Sequence, residues 1–249
     1  EFEYLDITDS KCVKDIFYKY NPDFIVNCAA YTNVDKAEVN KKKAHSVNVE
    51  GLQNIVKYSS NNAKIIHISS DFIFNGEKGP YSENSLPDPV NYYGKTKLES
   101  ENILIGSNKK SIIFRVNGLY SFTKHKNFFN WVYQSLINNK KIEICDDIIS
   151  NPTFCEHFSD IIRDSIILNI DGLYNYGSDM YISKYEFAKI IANKFNQNIN
   201  LIIKSNTDDL HFAAKRPLQT GLICDKIKYD FDIELPNIKT TLNYFKENE

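Results

Sequence analysis

The strongest constraint in this sequence is a rhythm. Short, nearly continuous apolar runs alternate with longer stretches whose apolar residues recur at the helical period. From residue 9, "DSKCVKDIFYKY" places Val13, Ile16, Phe17 and Tyr20 on one face, with Asp9 or Ser10 available as N-cap, and a short strand is expected before it. "DFIVNCAA" then reads as a strand buried on both faces. "KKAHSVNVEGLQNIVKY" reads as a helix with Ala44, Val47, Leu52 and Ile55 inward, and "AKIIHISS" as a second buried strand. A helix over 91–106, the strand "SIIFRVN" and a helix over 127–138 continue the pattern. Such alternation predicts an α/β fold: a Rossmann-like, doubly wound parallel sheet with helices on both faces.

After about residue 140 the rhythm loosens into "KIEIC", the loop "DDIISNPTF", a helix near 157–169, the strand "GLYNYG" and a helix opened by a capping box of Ser183 and Glu186. Two units are expected: residues 1–140 as a dinucleotide-binding domain, and residues 141–249 as mainly a small substrate-binding lobe interleaved with the sheet. At 249 residues, 42% hydrophobic and 25% charged, the chain has the make-up of an ordinary soluble globular protein. A net charge of −2 gives no electrostatic case for nucleic acid or an anionic membrane, so small molecules are the expected partners. The five cysteines (Cys12, Cys28, Cys145, Cys155, Cys224) are scattered and suggest neither a disulfide framework nor a zinc site. Asp146 and Asp147 lack partners at metal spacing and read as surface loop; no metal is expected. A cytoplasmic location is the expectation.

Chemistry is suggested by "NYYGKTK" at 91–97, where Tyr93 and Lys97 lie four apart and so share one face of a helix. An ammonium beside a phenol favours phenolate, which would lower the tyrosine pKa from about 10. Spacing alone selects nothing, because Tyr120/Lys124 and Tyr185/Lys189 show it too. Position selects. In sheets of this class ligands bind beyond the carboxyl ends of the strands, where strand order reverses. "HISSDFIF" puts Ser69, Ser70 and Asp71 at such an end, "VNCAAYTNVD" does so for Ala29, Ala30 and Tyr31, and Tyr93 opens the helix that follows the first of these. Tyr185 falls inside a capped helix of the second lobe, as a surface pair with Lys189, and Tyr120 ends a strand. None of the five histidines makes a constellation.

At these residues the chain resembles the extended short-chain dehydrogenase/reductases, and most of all the dTDP-4-dehydrorhamnose reductase family. The resemblance runs through "NCAAYTNVDKAE" at 27–38, "SSDFIFNG" at 69–76, "NYYGKTKLESE" at 91–101, "KNFF" at 126–129, "NPT" at 151–153 and "RP" at 216–217. It implies NADPH- or NADH-dependent reduction of the 4-keto group of a nucleotide-activated deoxysugar, within dTDP-rhamnose or related carbohydrate biosynthesis, by an enzyme that analogy makes a homodimer. Tyr93 resembles the general acid, and Lys97 its partner, lowering the Tyr93 pKa and holding the nicotinamide ribose. Ser70 stands where threonine is usual, and its hydroxyl can donate to the developing alkoxide. Asp6 and Ile7 match residues that flank the adenine; Ala29, Ala30, Tyr31 and Ser69 match the stretch beneath the cofactor. Asn48 resembles a helix asparagine that steadies the active-site backbone, or it caps local backbone. Asp71, Phe72, Asn117, Asn127, Phe128, Pro152 and Thr153 fall in motifs that face the substrate. Arg216 either grips a pyrophosphate bidentately or anchors its own loop.

Two departures from the family pattern shape the expectation. The nine glycines are dispersed and form no glycine-rich phosphate loop. By the resemblance, the motifs place the start of the sequence near the family's third strand, so a gap is expected in the middle of the sheet. Unpaired backbone groups there would each cost on the order of 1 to 3 kcal/mol, against a net stability of about 5 to 15 kcal/mol. About 30 to 45 further residues, the size of a βαβ unit, are therefore expected ahead of Glu1. The segment that separates NAD from NADP would lie there. Second, "RVNGLY" puts Gly118 where the family has a tryptophan, and Ile148 replaces a usual glutamine. A different 4-keto-6-deoxy sugar nucleotide is thus a candidate substrate. Competing readings are a related epimerase or 4,6-dehydratase, against which Phe72 stands where those dehydratases place glutamate, and a non-catalytic cofactor-binding subunit.

Overall fold

The computed structural model describes residues 3–122 and 126–247, with side chains through residue 245. Lys124, of the pair Tyr120/Lys124, lies outside the described residues. Residues 3–8 form no strand; there Asp6 takes hydrogen bonds from the Thr8 amide and hydroxyl, making a turn where a strand was expected. Helix α1, Ser10–Tyr20, is capped by Asp9, whose carboxylate accepts from the Lys11 and Cys12 amides. Strand β1 (Phe24–Asn27) leads through a loop to α2 (Val34–Val39), α3 (Lys41–His45), a π turn (Ser46–Glu50) and α4 (Gly51–Tyr58). Strand β2 (Lys64–Ser70), helix α5 (Tyr92–Ile105), strand β3 (Ser111–Val116) and helix α6 (Phe128–Ile137) follow. The remainder holds β4 (Ile142–Cys145), β5 (Ile149–Ser150), α7 (Cys155–Ile167), β6 (Gly172–Tyr176), β7 (Ile182–Ser183), α8 (Lys184–Lys194), β8 (Ile202–Ser205), α9 (Asp225–Phe231) and α10 (Ile238–Glu247).

The central sheet is parallel, in the order β1-β2-β3-β6. The expected gap inside it is absent: the four strands pair without interruption, and among the described residues the sheet ends at β1 and β6. A second difference lies on β1. β1 was expected to be buried on both faces, yet Phe24 is 45% and Val26 41% exposed, because no described element covers them. The inner strands behave as expected. Ile65 and Ile113 pack with Val13, Phe17, Leu52 and Leu104 on one face. Ile66, Ile112 and Phe114 pack with Phe158, Ile161 and Ile227 on the other. Burial of each such side chain contributes about 1.5 to 3 kcal/mol, so β2 and β3, covered on both faces, are firmly held.

A further core joins α6, α8 and α10 around Phe129, Leu136, Phe187, Ile191 and Phe245, alongside the β4–β8 pair. Ser183 caps α8 by accepting from the Glu186 amide. The capping box is only half formed, because the Glu186 carboxylate turns to Lys189 and the Ser183 hydroxyl donates to Asp146. Among the described residues, no helix is long and apolar enough to cross a membrane.

Candidate active site

A cavity of about 560 Å³ opens beyond the carboxyl ends of β1, β2 and β3, walled by Asn27, Ser70 and Val116. The strand order does not reverse there among the described residues, so it is the carboxyl-end part of the rule that locates the site. Nine of the sequence-predicted residues line it: Ala29, Ala30, Ser69, Ser70, Asp71, Phe72, Tyr93, Lys97 and Asn127.

Local chemistry sets each catalytic candidate in place. Asn91 caps α5 by accepting from the Gly94 amide, and its own amide donates to the Lys215 carbonyl. Glu38 accepts from the Tyr92 amide, placing a carboxylate at the positive end of the helix. Gly94 lets α5 approach the loop after β2: a Cβ there would lie 2.1 Å from the Phe72 carbonyl oxygen. In the first turn of α5, Tyr93 meets Phe72 edge to face at 5.8 Å. Asn48, from the π turn, accepts from the Tyr31 amide at 2.7 Å and donates to the Tyr31 carbonyl and the Thr96 hydroxyl. Thr96 in turn donates to the Tyr93 carbonyl. Asn48 therefore ties the loop after β1 to the first turn of α5.

The electrostatics differ from the sequence expectation. Lys97 was expected to lower the Tyr93 pKa. Instead burial pushes the phenol up to about 12, with the Asp71 carboxylate adding to the rise and the Ser70 hydroxyl opposing it. Desolvation outweighs the cation because Lys97 does not sit under the phenol; its ammonium donates to the Ile68 carbonyl at 2.7 Å and lies 3.4 Å from His67 Nε2. Burial also brings the Lys97 pKa down to about 8, with Glu101 opposing. The Ser70 hydroxyl donates to Asp71 Oδ1 and accepts from the Phe72 amide, so its proton is engaged in this state. Asp71 takes a second bond from Thr220, and burial raises its carboxyl to about 6.

Other predicted residues sit elsewhere. Ser69 lines the cavity, but its hydroxyl donates at 2.5 Å to Glu101, which is paired with Arg115 in the interior. Ile7 belongs to the core, and Asp6 holds its turn. Asn117 donates to Asn151 and the Thr220 carbonyl, while its own side-chain oxygen is buried without a partner. The Thr153 hydroxyl donates to the Tyr176 carbonyl, Pro152 lies beside Gly118, and Phe128 stacks on Phe187 at 5.6 Å. Arg216 lies in a second cavity with Phe212 and Leu218; its guanidinium bonds Asp35 and the Ala214 carbonyl, so it anchors its loop to α2. Sequence reasoning passed over His67, Asn27, Ser100, Thr220 and the Arg115–Glu101 pair. Their signal was polarity inside buried elements, as in the histidine of "IIHISS".

The chain matches the RmlD substrate binding domain family over residues 2–248. It belongs to that family. This RmlD-family chain is 34% identical to the dTDP-4-dehydrorhamnose reductase of Aggregatibacter actinomycetemcomitans, covering 94% of this chain and 84% of that protein. It is 28% identical to methionine adenosyltransferase 2 subunit beta of Xenopus tropicalis, over 91% of this chain and 70% of that one. The crystal structure of dTDP-4-dehydrorhamnose reductase from Bacillus anthracis str. Ames in complex with NADP superposes with a TM-score of 0.93 at 28% identity, over 98% of this chain and 87% of that chain. Among RmlD-family features, the Rossmann-like parallel sheet is the one this superposition bears out most directly.

Proposed function

We propose that this RmlD-family chain reduces the 4-keto group of a nucleotide-activated 6-deoxysugar, as a dTDP-4-dehydrorhamnose reductase, with NADPH or NADH as reductant. The observation that carries the reading is that Ser70, Tyr93 and Lys97 line one cavity at the strand ends, with a lysine ammonium buried in its wall. Lys97 spends one of its N–H groups on the Ile68 carbonyl, which leaves two to hold a ribose hydroxyl, and the apolar walls of Ala29, Ala30 and Val116 suit a flat ring. These residues fit a nicotinamide cofactor, which supplies the hydride when bound.

The protein's part is the proton. A reducing acid must begin protonated, and a phenol held at about 12 does so throughout the neutral range. The Tyr93 O–H bond breaks as the O–H bond of the product alcohol forms, leaving a phenolate that the Ser70 hydroxyl stabilises. Asp71 and Thr220 orient Ser70. Gly118, at φ +48, borders the cavity with nothing nearer to its missing side chain than Pro152 at 3.6 Å, which leaves room for a substituted sugar.

The test incubates the protein with NADPH or NADH and a panel of 4-keto-6-deoxy sugar nucleotides, dTDP-4-dehydrorhamnose first, and follows nicotinamide absorbance. Substrate-dependent oxidation that disappears in Tyr93→Phe supports the reading. Tight cofactor binding with no turnover of any ketose would support a second reading, a non-catalytic subunit, which rests on the similarity to methionine adenosyltransferase 2 subunit beta.

A further inference from the structure

Behind the cavity wall lies a chain of hydrogen bonds whose direction can be assigned at every link. The Ala29 amide donates to Asn27 Oδ1 at 3.2 Å, which fixes the orientation of that side-chain amide. Asn27 Nδ2 must then donate to His67 Nδ1, also at 3.2 Å, so Nδ1 carries no proton. On the far side of the ring, the Ser100 hydroxyl donates to the Lys97 carbonyl at 2.6 Å. With its only proton used, Ser100 accepts from His67 Nε2–H at 3.0 Å. The three side chains, Asn27, His67 and Ser100, are buried, none more than 6% exposed.

We propose that His67 is a positioning residue for the reduction: locked as the neutral Nε2–H tautomer, it ties the cavity wall at Ala29 to the turn of α5 that carries Lys97. The proposal rests on the reductase reading given above. A second proton is excluded by geometry, since it would have to enter at Nδ1, against the Asn27 donor, beside the Lys97 ammonium 3.4 Å from Nε2. Glu101 of α5 offers no relief because Arg115 of β3 and Ser69 of β2 already hold it. Burial and the Lys97 charge act in the same direction, keeping the ring neutral well below its ordinary range. The chain of bonds is not a proton wire, since the Asn27 amide does not titrate. Lys97 therefore exchanges protons on its cavity side, and the interior side serves only to hold it. Asn48 ties the same two elements one turn earlier, at Tyr93. His67 thus completes a two-point brace between the loop after β1 and the catalytic helix.

Nitrogen-15 spectra of the wild-type imidazoles, with the His67 signals assigned by their loss in His67→Asn, read the tautomer directly. The expected result is an Nε2–H ring that stays neutral as the pH falls through the ordinary imidazole range. Kinetics read its consequence. His67→Asn keeps an acceptor towards Asn27 and loses the Ser100 arm, whereas His67→Gln keeps a donor towards Ser100 and loses the Asn27 arm. Each is expected to lower kcat roughly 10- to 100-fold, the scale of a small misplacement of a catalytic group, and to raise the cofactor KM. An Nδ1–H ring, a ring titrating in the ordinary range, or both variants melting earlier with kcat and KM unchanged would overturn the proposal. Failure of the wild type to turn over any ketose would instead count against the reductase reading, and the spectra would still decide the tautomer.

Discussion

Helices α5 and α8 carry the same pair, a tyrosine with a lysine four residues on, and put it to opposite uses. In α5, Tyr93 and Lys97 are 9% and 2% exposed and wall a cavity. In α8, Lys189 lies 5.3 Å over the Tyr185 ring and bonds Glu186 at the surface. Burial reverses the electrostatics: the Lys97 pKa falls to about 8, while the Glu186 carboxylate raises that of Lys189. The i,i+4 spacing thus brings two side chains together but says nothing about their chemistry. Solvent decides that, and solvent access is set by packing against β2, β3 and the Phe72 loop.

The largest expected effect on this contrast is that of removing one hydroxyl from each helix. Tyr93→Phe should cost about 10²- to 10⁴-fold in kcat, the usual worth of a positioned general acid. Tyr185→Phe should leave turnover unchanged and stability within about 0.5 kcal/mol of wild type. Equal losses in the two variants would break the comparison. The next effect concerns what holds α5 down. Arg115→Met strands the Glu101 carboxylate in the interior and should cost about 3 to 5 kcal/mol in urea unfolding, because a buried charge loses its partner. The double change Arg115→Met with Glu101→Leu should recover most of that loss.

A pH series sharpens the comparison further. The folded pKa of Lys97 is below its unfolded value, so below pH 8 both states are charged and the cost of burying the ammonium is fully present. As pH rises from about 8 towards about 10.4 the folded state has lost a proton that the unfolded chain keeps, and stability rises by about 3 kcal/mol relative to Lys97→Met. Lys189, whose folded pKa is raised, should show the opposite sign and a far smaller change. A flat difference between wild type and Lys97→Met over that interval would show that the ammonium is solvated. A smaller loss is expected at Gly118, where alanine meets only Pro152 but must adopt a positive φ; it should cost about 1 kcal/mol and leave Tyr93 chemistry intact.

Much of the architecture was legible because it depends on local pattern. The apolar runs of β2 and β3 and the amphipathic α1 and α4 needed only their own residues to be recognised. The position of Tyr93, after a strand that ends in Ser70, was legible too. What escaped depends on contacts between distant parts of the chain. His67 meets Asn27 across 40 residues and Ser100 across 33, and nothing near "IIHISS" announces either partner. Arg216 reads equally well as a phosphate ligand or an anchor until Asp35 is found beside it, 181 residues earlier. The direction of the Tyr93 shift escaped for the same reason, since desolvation is summed over every element that covers the ring. The exposure of β1 depended on which strands neighbour it, which an apolar run does not reveal.

The π turn at Ser46–Glu50 has a consequence for which changes of length this protein tolerates. Such a turn holds an extra residue, and Asn48 lies within it. Deleting one of these five residues would let the helix close to regular winding with its flanks nearly in phase, because the wider turn only absorbs the extra residue, but the bulge itself would be gone. Asn48 would then lose the placement that lets it reach both the Tyr31 backbone and the Thr96 hydroxyl. The surface loops of this molecule can drift in length, but this stretch of helix cannot lose a residue without uncoupling the loop after β1 from the acid.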